Sequence, residues 1–357
     1  MNRICYITRN YRDTEGAGNK AKTDNEDTLQ LMGAHNLGLH RTFYPNKVIT
    51  FFIDLAGIIK YCFATKKGDI IVLQYPVKKY FSFLCNIARF HGAKTVALIH
   101  DLGSFRRRKL TVEKEINRLM HADYVIASNT VMKQWLTDHD YRHPLGALEL
   151  FDYRSSAKSR PWTPGSNGLI RLVYAGALAM RKNAFLLQLA EEELPYELHI
   201  YGKREGLPGM QDNAHMVFHP FTPADTFIQE VEGDFGFVWD GDSLDSCTGN
   251  FGEYLRWNSP HKVSFYIRAG LPIIIWREAA VAPIVEREGI GLCIGSISEL
   301  TTLLPTITPE KMEEMRRNVN RVSQRLANGQ YLTEAVHSAI HTLTDKDANS
   351  QQPRMSK

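Results

Sequence analysis

Short, wholly apolar runs alternate along the chain with longer stretches in which apolar residues recur at three and four positions. Ile4–Thr8 predicts a first strand, and Asp69–Gln74, Lys94–His100 and Asp123–Ala127 predict three more. Ser128 and Asn129 follow the last of these, and Val131 through Leu136 predicts a helix. Strands that are apolar on both faces and separated by helices predict a parallel sheet covered on both sides. One such α/β unit is expected over residues 1–151.

Residues 152–168 (DYRSSAKSRPWTPGSNG) lose the periodicity and gain Ser, Pro, Gly and basic residues, which predicts a linker. The pattern then restarts. Ile170–Tyr174, Tyr196–Tyr201, Met216–His219, Phe235–Trp239, Leu271–Trp276 and Gly291–Ile294 predict six strands, with helices near 260–269 and 279–288. A second α/β unit is therefore expected over 169–307. Beyond it, Thr308 is placed as an N-cap with Pro309 at the first helical position. Met312, Met315, Val319, Val322 and Leu326 form one apolar stripe, and a further helical stretch runs through Leu332 to Leu343. Residues 308–345 are expected to be helices packing back on the first unit, and 346–357 a disordered tail.

Composition narrows the classes of function. A chain of 357 residues exceeds what one hydrophobic core usually serves, in keeping with two domains. A formal net charge of +4 does not predict nucleic-acid binding, and the basic cluster Arg106 to Lys109 is not continued by aromatic residues. The five cysteines are dispersed with no CxxC pair, which argues against a disulfide framework and a zinc site. The N-terminus lacks the apolar core of a secretion signal. The long apolar stretch Val48–Ala64 is broken by Asp54 and Lys60 and falls short of a bilayer span. The cytoplasm is the expected location, with peripheral contact at the inner face of the membrane left open.

Four places carry candidate chemistry. Gly16, Gly18 and Asn19 lie in the expected first βα loop, either a plain connection or a loop touching sugar or acceptor. Asp101, at the end of the Lys94–His100 strand, is either a cap or a general base for an acceptor hydroxyl. Gly176, Arg181 and Lys182 follow the first strand of the second unit, where backbone amides and cations suit a diphosphate; an ordinary basic helix start is the alternative. The long polar segment from Trp239 to Lys262 holds Asp240, Asn258, His261 and Lys262. There Ser259 is expected as N-cap and Pro260 at the first helical position, so that Lys262 opposes the helix dipole unless an anion binds. Asp240 and Asp242 form a DxD pair, preferred here as a turn or hydroxyl-binding element over a metal site.

The run WDGDS…GNFGEYLRWNSPHKVSFYIRAGLPIIIW, with IHDLGSFR and the GAGNKA loop, resembles bacterial galactofuranosyltransferases and the related glucosyltransferases that extend serine-rich adhesin glycans. The resemblance covers about residues 3–340. It implies the GT-B architecture: two Rossmann-like domains facing a cleft, a donor-binding C-terminal half, and C-terminal helices that cross back. It implies a UDP-sugar donor, galactofuranose or glucose as the sugar, and a glycan or lipid-linked glycan acceptor. It also implies no bound metal or other cofactor, and dimers or tetramers. On this reading Tyr201 and Gly202 lie beside the nucleoside, while Arg181, Lys182, His261 and Lys262 hold the diphosphate. The paired-glutamate ribose signature of many retaining GT-B enzymes is absent, which leaves the ribose partner open. Two rival functions remain at this point: a UDP-sugar epimerase, and a non-catalytic UDP-binding partner of a transferase.

Overall fold

The computed structural model describes residues 2–12, 17–77, 80–106, 110–165, 167–211 and 213–350. The chain divides into two compact units, Met1–Glu149 with Gly329–Lys357, and Leu150–Asn328.

The first unit is built on strands β1 (Ile4–Tyr6), β2 (His35–Asn36), β3 (Ile70–Tyr75), β4 (Lys94–Ile99), β5 (Tyr124–Ala127) and β6 (Leu145–Ala147). They form one parallel sheet in the order β2-β1-β3-β4-β5-β6. The central strands are buried over most of their length: Ile70, Ile71, Val72 and Leu73 of β3 and Val96 to Ile99 of β4 are at most 1% exposed. Such strands carry apolar residues at every position because both faces are covered. Asn46 opens the Lys47–Ala64 helix by accepting from the amides of Val48 and Ile49, and Asn129 opens Thr130–Asp138 by accepting from Met132.

The second unit carries β7 (Ile170–Ala175), β8 (Tyr196–Tyr201), β9 (Met216–His219), β10 (Phe235–Val238), β11 (Ile273–Trp276) and β12 (Gly291–Ile294). These pair in parallel in the order β12-β11-β10-β7-β8-β9. Counted from its own first strand this is the doubly wound dinucleotide-binding order. Its switch point, where successive strands diverge to opposite sides, lies between β7 and β10. In the first sheet the same point lies between β1 and β3. Ligands of such sheets bind at that point, beyond the carboxyl ends of the strands.

Three features differ from the reading of the sequence. The described residues of the expected 152–168 linker are not a free connection but pack along the second unit. Asp152 is fully buried and Tyr153 nearly so. Ser264 donates to the Phe151 carbonyl at 2.6 Å, Arg268 to the carbonyls of Ser155 and Ala157, and the Trp162 indole to Asp234 at 2.6 Å. The Pro309–Ala327 helix also belongs to this unit, and its apolar stripe packs on the His261–Arg268 helix. Only the last helix, Gln330–Ser350, returns to the first unit. At its start Gly329 has φ +71, and a methyl there would lie 2.4 Å from the Thr28 hydroxyl, so glycine alone permits that turn. The helix runs to Ser350, further than the sequence pattern predicts; residues 351–357 lie outside the described residues.

Candidate functional site

The switch point of the second sheet brings together residues far apart in sequence. β7 ends at Ala175 and turns through Gly176, whose φ of +147 excludes other side chains without strain. β10 ends at Val238 and leads through Trp239 to Asp240, which is 8% exposed. The Tyr174 hydroxyl, fully buried beneath this corner, donates to Asp240 Oδ1 at 3.1 Å and accepts from the Asn183 amide. Asn183 in turn accepts from the Ala179 amide at 3.0 Å and fixes the turn after β7.

Two lysines face the same carboxylate. Lys182 Nζ stands 3.5 Å and Lys262 Nζ 4.0 Å from Asp240 Oδ1. Lys262 also lies over the Tyr174 ring, 3.7 Å from its centre. Its side chain is only 12% exposed, and its nitrogen, shut off from solvent, has no hydrogen-bond acceptor. Burial, and after it the charge of Lys182, pull the Lys262 ammonium down to about 7; Asp240 opposes the shift without cancelling it. A buried amine without an acceptor is costly unless it has a ligand to meet. Gly176 lies beside it: a methyl there would be 3.7 Å from Lys262 Cε.

Lys262 reaches this corner because the His261–Arg268 helix lies flush against the sheet. Gly236 of β10 faces Tyr266, and a methyl at 236 would fall 2.4 Å from the tyrosine ring. The Tyr266 hydroxyl accepts from the Ala175 amide at 2.7 Å and pins the helix to the end of β7. Pro260, not Ser259, occupies the N-cap position, and it offers no side-chain acceptor; the helix starts at His261. The mismatch between Lys262 and the helix dipole is met in part by Asp240, which the sequence marks as a turn or hydroxyl-binding residue rather than as a partner for lysines.

The other expected donor-site residues are distributed as follows. Gly202 follows β8 and abuts the turn after β7, since a methyl there would fall 2.6 Å from the Gly176 carbonyl. Tyr201 stacks on His219 at 4.2 Å and meets Phe227 edge-on. Asn258 has its buried Oδ1 without a partner, a second orphaned polar atom on the same segment. Arg181 is exposed and lies over the Phe251 ring at 5.3 Å, whereas its neighbour Lys182 turns to Asp240. His261 stacks on Tyr153 at 4.8 Å with Nε2 3.3 Å from the Asp152 carbonyl, so its ring is engaged by the 151–153 segment. Asp240 and Asp242 do not converge: Asp242 takes the Thr248 hydroxyl while Asp240 faces the lysines. Among the described residues no three His, Cys, Asp or Glu side chains group as metal ligands.

The first unit has its own pocket at its switch point. A cavity of about 410 Å³ lies beyond β1 and β3, lined among others by Thr8, Arg9, Tyr11, Lys22, Lys47 and Gln74. Below it Glu26, 1% exposed, accepts from Thr8 at 2.7 Å, from Arg41 at 2.8 Å and from the Tyr11 hydroxyl. Burial raises the Glu26 carboxyl, against those hydrogen bonds. Gly18 and Asn19 do not form a loop; they sit in the first turn of the Ala17–Leu31 helix, which starts earlier than the glycines suggest. Gly16 and the cluster 107–109 lie outside the described residues. Asp101 follows β4 and is half-buried. Next to it His100 contacts Gln74 at 2.8 Å, and the amides of Gly103 and Ser104 donate to the buried carboxylate of Glu115. Glu115, which also accepts from Tyr75, is the carboxylate that shapes the Asp101 turn, and nothing in its helical sequence context marks it.

Two nucleotide-binding-type sheets, each with polar side chains at its switch point, make up the GT-B fold. Solved structures agree on that fold. The lipopolysaccharide outer core galactosyltransferase WaaB aligns with a TM-score of 0.60 at 12% identity, covering 94% of this chain and 99% of that one. An α,α-trehalose 6-phosphate synthase from Burkholderia multivorans aligns at 0.58 and 8% identity over the whole of both chains. The chain belongs to the glucosyltransferase 3-like family, matching its N-terminal domain over residues 4–150 and its C-terminal domain over 172–339. It is similar to the β-1,6-galactofuranosyltransferase WbbI of Escherichia coli (29% identity over 83% of this chain and 86% of the relative). It is also similar to glucosyltransferase 3 of Streptococcus parasanguinis (23% identity over 94% and 98%). The chain is a glycosyltransferase, a hexosyltransferase of GT-B type.

Proposed function

We propose that the second unit binds a UDP-sugar at its switch point and that the chain transfers the sugar, galactofuranose or glucose, to a hydroxyl of a glycan acceptor in surface polysaccharide or glycoprotein synthesis. The observation that carries this reading is the Lys262 amine, buried, without an acceptor, and paired with Lys182 across Asp240. A diphosphate supplies what the amine lacks. Lys262 and Lys182 neutralise the charge that develops on the leaving UDP as the bond from the anomeric carbon to the diphosphate oxygen breaks. The Gly176 amide itself donates to the Tyr201 carbonyl at 3.1 Å, so the glycine serves by letting the backbone approach the diphosphate closely, and the Tyr201–Lys203 strand end receives the nucleoside. The acceptor belongs to the first unit. There its hydroxyl oxygen forms the new bond to the anomeric carbon, and Asp101 takes the proton if the reaction inverts. The lysines make a divalent cation unnecessary, so EDTA should leave the rate within about twofold; a metal-dependent rate would remove this part of the proposal.

The titration of Lys262 gives the site a pH signature. Both phosphates of a UDP-sugar are diesters with no proton to exchange near neutrality. A bound diphosphate favours the charged amine and raises its value above about 7. Binding therefore takes up a proton wherever the free amine is neutral. Affinity is constant below that value and weakens as pH rises above it, approaching about tenfold per pH unit until the bound form also titrates. Calorimetry of UDP-glucose binding from pH 6 to 9 measures this, and a pH-independent affinity would exclude Lys262 from the diphosphate.

The direct test offers the purified chain a panel of UDP-sugars with short glycosyl acceptors and reads the products by mass spectrometry. An acceptor heavier by one hexose, with UDP released, is the expected result. Interconversion of UDP-sugars without acceptor would make the chain an epimerase. Donor binding with neither reaction would make it a non-catalytic partner subunit.

A further inference from the structure

β3 carries one amide side chain among its apolar residues. Gln74 follows the buried run Ile70, Ile71, Val72 and Leu73, and a polar side chain in such a strand needs a partner for each of its groups. Gln74 Nε2 donates to the main-chain carbonyl of Lys22, in the Ala17–Leu31 helix, at 3.0 Å. Gln74 Oε1 accepts from Asn25 Nδ2 at 3.0 Å and lies 2.8 Å from His100 Nε2. The His100 amide donates to the Tyr75 carbonyl at 3.0 Å, which brings the ring alongside Gln74.

These contacts run in one direction only. A carbonyl accepts and never donates, so Lys22 fixes which end of the Gln74 amide is the nitrogen. The end that meets His100 is then the oxygen, and it too can only accept. The imidazole proton therefore sits on Nε2. In the other tautomer two lone pairs would face each other at 2.8 Å, and Asn25 Nδ2, 3.4 Å from the same ring nitrogen, is too long a contact to offset that. In the neutral ring Nδ1 is then the lone-pair atom, because the hydrogen bond of one nitrogen decides the state of the other. Asn25 is fully buried and its own Oδ1 has no partner. An unpaired buried amide oxygen is destabilising; what Asn25 contributes lies at its other end, where it gives Gln74 Oε1 a second donor.

We propose that Gln74 is a positioning residue: it keeps the His100 proton on Nε2 and so presents Nδ1 as a standing acceptor for a non-reacting hydroxyl of the sugar bound at the carboxyl end of the first sheet. The inference rests on the reading that the first unit handles the acceptor sugar at that end. Gln74 and Lys22 both line the cavity at the switch point of β1 and β3, which sets this chain of amides at the edge of that space. His100 immediately precedes Asp101. A neutral nitrogen that accepts from a non-reacting hydroxyl orients the sugar, and the reacting hydroxyl is left to Asp101. The other tautomer would offer an N–H where the hydroxyl needs an acceptor.

Long-range nitrogen–proton correlation spectra of the full-length protein, labelled with nitrogen-15 at histidine, test this without any substrate, and His100→Gln assigns the resonance. At pH 8.5 the His100 ring should show a protonated Nε2 and a bare Nδ1. Gln74→Met removes the acceptor and should leave the two tautomers mixed or reversed. Gln74→Glu, which can still accept, should keep the proton on Nε2. In transfer assays with the donor and acceptor from the product screen, Gln74→Met should lower kcat/KM for the acceptor at least tenfold and leave KM for the UDP-sugar within twofold. A proton on Nδ1 alone in the unsubstituted protein would overturn the proposal, whatever the chain transfers. So would a Gln74→Met protein that keeps Nε2 fully protonated, or one whose tautomer shifts while acceptor kcat/KM stays the same. The tautomer is read without substrate, so a screen that found no transfer would count against the UDP-sugar reading and leave the spectra to decide this one.

Discussion

Replacing Lys262 with methionine should raise the stability of the ligand-free protein and remove most of its affinity for the donor. The two effects share one cause. In the free protein the amine is held near a value of 7 by burial, against 10.5 in water, so folding keeps a cation where it is poorly solvated. Methionine is unbranched, one heavy atom shorter, and has no charge to desolvate, while Asp240 keeps Lys182 and the Tyr174 hydroxyl as partners. Exchanging a poorly solvated charge for an apolar group of similar shape is commonly neutral or stabilising. A gain of about 1 kcal/mol is expected, roughly 2–4 °C in melting temperature for a unit of this size. The loss on the binding side is larger. A hydrogen bond to a charged group is worth about 1.5–3 kcal/mol, so UDP-sugar affinity should fall roughly 10- to 150-fold. Differential scanning fluorimetry and calorimetry on the same preparation check both. A variant that melts lower and binds donor as before would refute the assignment.

Gly236→Ala should lower the stability of the second unit, the opposite of what is expected for Lys262→Met. The new methyl would meet the root of the Tyr266 side chain, Cγ at 2.4 Å and Cβ at 2.7 Å, and neither atom can swing aside. Either the helix lifts from the sheet or the strand distorts. Overpacking of this kind costs about 1–3 kcal/mol and sometimes more. Lys262 is one turn before Tyr266 on that helix, so donor affinity should fall together with stability. Urea unfolding gives the first quantity and UDP titration the second. Combining Gly236→Ala with Tyr266→Ala should cost less than the sum of the two, because the alanine removes the ring and the Cγ that the methyl meets. Strict additivity of the two substitutions would show that they do not share that space.

The sheets were legible in the sequence because their strands are buried on both faces, and continuous apolar runs such as Ile70–Leu73 and Ile273–Ile275 leave little choice of structure. The strand order was less so, since order depends on which helices cover which face, and no local pattern encodes that. In the candidate site the lysines at 182 and 262 were readable from their positions after a strand and at a helix start. Their common partner was not. Asp240 sits in a run of Gly, Asp and Ser that any turn would show, and only the parallel pairing of β7 with β10 sets it beside Tyr174. Arg181 shows what adjacency leaves open: next to Lys182 in sequence, it lies over Phe251 and not beside Asp240, because a helical turn rotates neighbours by about 100°. Residues 152–168 misled for a compositional reason. Pro, Ser and Gly suit a linker, but the tryptophan and arginines among them find fixed partners such as Asp234 and Glu232.

The wall formed by glycines 176, 202 and 206 limits how such a protein can diversify. A methyl at 206 would sit 2.0 Å from the Leu178 carbonyl, one at 202 would strike the Gly176 carbonyl, and 176 has a backbone angle that no other residue adopts easily. Selection for a new sugar therefore has no room to act there. What is left to vary is the non-glycine side chains of the polar stretch from 239 to 258, since a methyl at Gly241 would fall 2.6 Å from the Thr248 amide nitrogen and one at Gly252 2.5 Å from the Cys247 carbonyl carbon.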